Sequence, residues 1–374
     1  MEDVALIGSR DPEDYFYYLD DKIEPISEEE KNHVAPTVLD GIDGRSVRPY
    51  ARWNNAIIRA IRAKDIAIIG EKNSVIDGKN CYDALGEENY RGPHPINIWY
   101  SENITLSGYT VSDGGNWGHA IQNSKNITAR NITVHGGHDG FDVRTCDNIL
   151  IEDCVFETGD DCIAGFDNIG VTVRRCKFNS ACSLLRFGGT DVLVEDCQGN
   201  APSKYGFRKD LSDEKKIEGA PTDENCRHNC HTVFLYYCDK RAKIRKTPGN
   251  ILMCNCAFDG VDAIFNLPFG HKWSCNVSLN DIKFENCDFS NLHLPTNIEA
   301  PEGEPLSITL EKCRVSYASD YGKEPFIRTK GHGNILLSDV TITSDDPYIE
   351  ARSEGGIEII NSTKIDIIKL TKNS

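Results

Sequence analysis

A repeat constrains this chain more than any other feature. The runs Asn103-Ile-Thr-Leu, Asn126-Ile-Thr-Ala, Asn148-Ile-Leu-Ile, Gly170-Val-Thr-Val and Asp191-Val-Leu-Val start at positions 103, 126, 148, 170 and 191, so the interval stays close to one value. Each alternates apolar and polar residues behind a turn-prone residue, which is the pattern of a short strand and not of a helix. A Cys follows shortly after the start of three of them, at Cys154, Cys176 and Cys197. Similar runs end at Cys256, Cys287 and Cys313, and Ile335-Leu-Leu-Ser-Asp-Val is written alike. A period near 22 without helical spacing predicts an all-β solenoid. Each coil would hold about three short parallel strands and rise roughly 4.8 Å to the next. A leucine-rich repeat has a similar period, but its Leu-x-x-Leu-x-Leu signature is missing.

The recurring Cys reads as a small apolar residue in an inward stack, where a free thiol behaves as a hydrophobe. A disulfide ladder would need a paired geometry in every coil. Asn-Ile-Thr at 103, 126 and 131 matches a glycosylation sequon, but Asn at each strand start reads first as a turn or ladder residue. Residues 200–250 break the period and are rich in charge, so they read as an insertion looping out of one solenoid edge.

Charge and hydropathy exclude other classes. Lys plus Arg is 41 against 58 Asp plus Glu, a net charge of −17. Phosphate binding needs a basic footprint, so a nucleic-acid partner is not expected. No apolar run is long enough for a membrane-spanning helix. Met1-Glu2-Asp3 is acidic where a signal peptide would be basic, which slightly favours a cytoplasmic location.

The period also places side chains. Asp139 and Asp161 are separated by one full period, so they should occupy equivalent positions on neighbouring coils. His138 should stack on Asp160 in the same way. The next interval is shorter by one, as between the runs at 170 and 191, and it should bring Cys182 onto Asp161 and Ala181 onto Asp160. Three carboxylates therefore gather in one small area. Like charges this close hold a proton to higher pH. Three readings fit the spacing: acid–base catalysis of glycoside hydrolysis, an Asp ladder capping turns, or an oxygen-lined calcium site.

The segments His138-Asp139-Gly140-Phe141-Asp142-Val143 and Thr158-Gly159-Asp160-Asp161-Cys162-Ile163-Ala164 resemble the polygalacturonase-like glycoside hydrolases (family 28). Leu6-Ile7-Gly8-Ser9, Ala67-Ile-Ile-Gly70, Val75-Ile-Asp-Gly78, Arg91-Gly-Pro93 and Trp117-Gly-His119 have counterparts there too. The resemblance runs from about residue 5 to about 200. It implies that Asp160 is a general acid, and that Asp139 and Asp161 hold and activate the water, with inversion at the anomeric carbon. The family's Gly-His-Gly is replaced here by Ala181-Cys182-Ser183. Its Arg-Ile-Lys, which grips a substrate carboxylate, has no counterpart at Ala263-Ile-Phe265-Asn-Leu267. Arg328-Thr-Lys330 has the right letters several coils late. The family's stretch ahead of Leu6-Ile7-Gly8-Ser9 is expected to be missing as well.

These readings converge on one right-handed parallel β-helix domain over 1–374, with a coil period near 22 and an insertion at 200–250. The expected activity is inverting hydrolysis of a uronate-containing or related plant-type oligo- or polysaccharide. A β-helix polysaccharide lyase and a non-catalytic carbohydrate-binding solenoid are the alternatives. Asp139, Asp160 and Asp161 are the expected catalytic residues. His138, Trp117, His119, Arg186, Arg208 and Lys209 are expected to contact substrate. Arg144 is a further candidate for a uronate carboxylate, and Tyr205, Phe207, Tyr236 and Trp273 for stacking on sugar. No cofactor or metal is expected. Cys226-Arg-His228-Asn-Cys230-His231 is too tightly spaced for a standard zinc module.

Overall fold

The computed structural model describes residues 3–15, 55–238, 244–268, 277–300, 306–331, 333–344, 346–352 and 356–370. Trp273 lies outside them. Among the described residues all regular strand pairings are parallel, and the strands form a right-handed β-helix with three faces. Face 1 carries strands such as Thr133–Gly136, Val155–Thr158 and Lys177–Ser180. Face 2 carries His119–Gln122 and Phe141–Arg144, and face 3 carries Lys125–Arg130 and Asp147–Glu152. The longer strands Ile163–Arg174 and Ser183–Glu195 run through faces 2 and 3 without a break.

The register confirms the period. Thr133 pairs with Val155 and Val155 with Lys177, one period apart each time, and Phe141 pairs with both His119 and Ile163. Alternation sends Phe156 and Phe178 inward, where their rings stack at 5.5 Å. Cys154, Cys176, Cys197, Cys256, Cys287 and Cys313 are all buried and unpaired by disulfides. Within this ladder the Cys176 N–H meets the Cys197 sulfur at 3.5 Å, and the Cys197 N–H meets that of Cys256 at 3.4 Å. Asn103, Asn126 and Asn148 adopt φ of 59°, 56° and 54°, a conformation that Asn tolerates. Asn126 donates to Asn103, and Asn148 to Asn126, at 2.9 and 3.0 Å. These three coils thus turn at the same place and are joined there by a row of side-chain hydrogen bonds.

The period slips where the chain bulges. Gly165 still pairs with Phe187 at the full interval, but Asn168 pairs with Gly189, one position sooner. The shorter interval therefore belongs to face 3 and starts after the turn that carries the carboxylates. At that turn the full interval still holds, which corrects the expected stacking. Asp161 lies in register with Ser183, and Asp160 with Cys182.

The break in the period divides in two. Residues 201–231 leave the coil after Gln198–Asn200, at the turn between faces 1 and 2. The chain then rejoins face 2 as Thr232–Tyr236, in register with Ser183–Phe187. The excursion lies directly on earlier coils. A Cβ on Gly159 would sit 2.1 Å from the Gly206 carbonyl, and one on Gly137 would sit 2.7 Å from the Arg208 side chain. Glycine is required at both positions by this close approach.

Candidate active site

The turn between faces 1 and 2 carries the same small platform on successive coils: Gly137-His138-Asp139-Gly140, then Gly159-Asp160-Asp161-Cys162, then Ala181-Cys182-Ser183. Asp139, Asp160 and Asp161 meet there as the spacing requires. The Asp161 N–H lies 3.2 Å from Asp139 Oδ1 and 3.1 Å from Asp160 Oδ1, so one donor ties the other two carboxylates together. Asp161 Oδ1 itself accepts from the Ser183 N–H at 3.0 Å. Their exposures are 4%, 9% and 1%, which leaves Asp160 the most accessible of the three.

Burial first, and then Asp160 and Asp161, push the Asp139 carboxyl well above the usual carboxylate range. Burial followed by Asp160 raises Asp161 to about 7, against the opposing pull of Arg186. The cluster thus keeps a proton at neutral pH, because burial and mutual repulsion both disfavour three negative charges.

Arg91 comes to this platform from an earlier loop. Its NH2 donates to Asp160 Oδ2 at 3.0 Å and its NH1 lies 3.0 Å from His138 Nδ1. Its Nε donates to Glu88 at 3.0 Å, and Lys209 Nζ reaches the same Glu88 at 2.7 Å. Arg208 donates to the carbonyls of Asn80, Ala220 and Lys216 at 3.0, 2.8 and 3.2 Å. The Asn80–Arg91 loop and the 201–231 excursion are therefore clipped together over the acidic cluster.

Several expected substrate contacts have other partners. His119 points into the solenoid, stacked on Phe141 at 3.9 Å with Tyr109 Oη 3.0 Å from its Nε2. The expectation failed because His119 is in register with inward-facing Phe141. Trp117 is only 4% exposed and lies under the Arg144 guanidinium, 4.4 Å away, so its face is not open to a sugar. Arg144 is held bidentately by Asp142 at 2.6 and 2.7 Å. Arg208 is fully buried on backbone carbonyls, which corrects its expected role, and Lys209 is committed to Glu88. Tyr205 stacks on His135 at 5.6 Å and Tyr236 is buried. His138 is beside the cluster as expected, stacked on Tyr90, with burial and then Arg91 holding it well below its ordinary pKa. Arg186 lies 3.8 Å from Asp161 Oδ2 and 3.8 Å from the Tyr237 ring centre, partly open to solvent.

Among the described residues one group could offer metal ligands: Asp160, Asp161 and Cys182, whose ligand atoms lie within 4.8 Å of one another. Burial and the two carboxylates push the Cys182 thiol well above its ordinary pKa. The Cys226–His231 segment does not converge. Cys226 faces Asp223, and His228 sits between Ser203 and Thr222.

Residues 42–199 match the family model for a right-handed beta helix region. Among curated proteins, a polygalacturonase of Saccharomyces cerevisiae is 27% identical over 143 residues, which cover 35% of this chain and 39% of the yeast protein. A probable polygalacturonase of Vitis vinifera is 30% identical over 140 residues, covering 34% of this chain and 28% of that one. The chain thus matches less than half the length of these relatives. The solved structure of a family 28 exopolygalacturonase from Yersinia enterocolitica covers 99% of this chain and 68% of its own, with a TM-score of 0.46 and 13% identity. The chain is a right-handed parallel β-helix protein. Within that class, the matched part of the chain is similar in sequence to polygalacturonases.

Proposed function

We propose that this protein is a glycoside hydrolase that cleaves a pectin-type, uronate-containing oligo- or polysaccharide by an inverting mechanism with two carboxylate roles. The observation that carries this is the platform on which one N–H ties Asp139 and Asp160 together while burial keeps a proton in the cluster. The similarity to polygalacturonases supports it. Asp160, the most accessible carboxyl, would take over the proton held in the cluster and pass it to the leaving oxygen, which leaves Asp139 and Asp161 ionised to hold and activate water on the other face. Both Asp160 oxygens accept hydrogen bonds in the resting protein, one from Arg91 and one from the Asp161 N–H.

Asp160→Asn should lower kcat on oligogalacturonate by about a hundred- to ten-thousand-fold while the melting temperature holds. NMR of the first product should show the anomer opposite to that of the substrate bond. Full activity in the variant, or a retained anomer, would overturn the assignment. An unsaturated product absorbing in the ultraviolet would mean a lyase instead.

A further inference from the structure

The protein is strongly acidic, and the cations around its carboxylate platform are nearly all engaged. Arg91 is paired with Glu88 and Asp160, Arg144 with Asp142, Arg186 with Asp161, and Lys209 with Glu88. Arg208 is spent on carbonyls. Arg227 differs. It sits in the 201–231 excursion, where its Nε donates to the Ala181 carbonyl at 3.2 Å and its guanidinium lies 4.3 Å from the Phe207 ring centre. Its backbone is fixed by an N–H bond to Asp210 at 3.0 Å. Among the described residues its guanidinium makes no ion pair. The plane is thus positioned by a ring, a carbonyl and a pinned backbone, and among the described residues both terminal nitrogens are uncommitted.

Its position gives this meaning. Ala181 precedes Cys182, which is in register with Asp160 and has its sulfur within 4.8 Å of the Asp160 and Asp161 oxygens. Arg227 therefore stands beside the coil that follows Asp160, close enough to Cys182 to act on its thiol. Arg91 closes the platform on the His138 side, and Arg227 stands on the side it leaves free. Its charge is felt there: after burial, it is the largest influence lowering the neighbouring His231.

We infer that Arg227 is a specificity-determining residue that reads the carboxylate of an acidic sugar bound on the Cys182 side of Asp160. A planar fork of N–H donors matches a carboxylate in two parallel hydrogen bonds. A cation with no acidic partner among the described residues supplies local attraction that the overall charge opposes. The inference rests on the proposed hydrolase reading for its substrate class, but not on turnover.

The test is equilibrium binding by calorimetry at fixed salt, with trigalacturonate and its methyl ester as probes. The protein with Arg227 in place and its Arg227→Gln and Arg227→Lys variants are compared, each also carrying Asp160→Asn so that the ligand is not turned over during the titration. Arg227→Gln should weaken trigalacturonate binding about ten- to a hundred-fold, the range of a charge-assisted hydrogen bond, and leave the ester within about two-fold. Arg227→Lys should recover part of the loss, since it keeps the charge without the fork. Equal loss of both ligands, unchanged trigalacturonate binding, or no trigalacturonate binding by the protein with Arg227 in place would each overturn the inference. Discrimination found alongside no hydrolase activity in the protein that keeps Asp160 would sink the proposed function and leave the role of Arg227 standing.

Discussion

The Arg91 guanidinium bridges His138 Nδ1 and Asp160 Oδ2, each at 3.0 Å, and so joins the acidic platform to a loop much earlier in the chain. Arg91 also lowers the proton affinity of Asp139, against burial and the two other carboxylates. Arg91→Gln removes the cation nearest the cluster, which then holds its proton to higher pH. The alkaline limb of the kcat/KM profile should move upward, by about one pH unit. The variant should lose about 3–5 kcal/mol of stability, because Glu87 and Asp160 are left largely buried without their closest cation. An unmoved alkaline limb in a folded variant would rule this out.

Asp161 makes stability depend on pH in the direction opposite to an ordinary paired carboxylate. Its carboxyl is raised from 3.8 to about 7 in the folded protein. Between those values the folded state binds more protons than the unfolded state, so stability falls as pH rises through the window and levels off above it. Asp161→Asn cannot lose that proton. Its melting temperature relative to the parent protein should therefore climb from about pH 4 to about pH 7. A difference that stays constant with pH would show that the raised carboxyl is not Asp161.

Gly159 is the point at which the excursion rests on the coil. Gly159→Ala would place a methyl 2.1 Å from the Gly206 carbonyl, so backbone must move. Overpacking of this kind costs about 1–3 kcal/mol. Limited proteolysis should then cut within 201–231 faster than in the parent protein, while the coils remain resistant. Unchanged cleavage would mean that the contact is not tight.

The six ladder thiols are buried and hold no disulfide. They should not react with a thiol reagent in the native protein and should react fully in denaturant. Reductant should leave the melting temperature where it is. A reductant-sensitive melting temperature would contradict the inward thiol stack.

The repeat carried most of the fold, because an in-register solenoid turns sequence distance directly into spatial position. Asp139 over Asp161 followed from the period alone. The same arithmetic set Cys182 against Asp161 when it belongs against Asp160, since the bulge after Gly165 that shortens the interval lies beyond the turn. His119 looked like a substrate contact because its type fits that chemistry, yet its register with Phe141 turns it inward. Arg91 and Arg227 were not foreseen as parts of the site. Both lie in loops, where periodicity says nothing about which coil a side chain reaches. The signal available for Arg227 was its place inside the Cys226–His231 segment, within the insertion that breaks the period.

The glycines under the excursion also bear on the order of assembly. Arg208 bonds to Asn80 across a long stretch of chain, and Gly206 can settle on Gly159 only after that coil exists. Coils join nearest neighbours in sequence, so their loop-closure cost is small and repeated. The cover over the carboxylates closes a far longer loop and has to follow them. A newly made chain would hold its three acids in place before it restricts who can reach them.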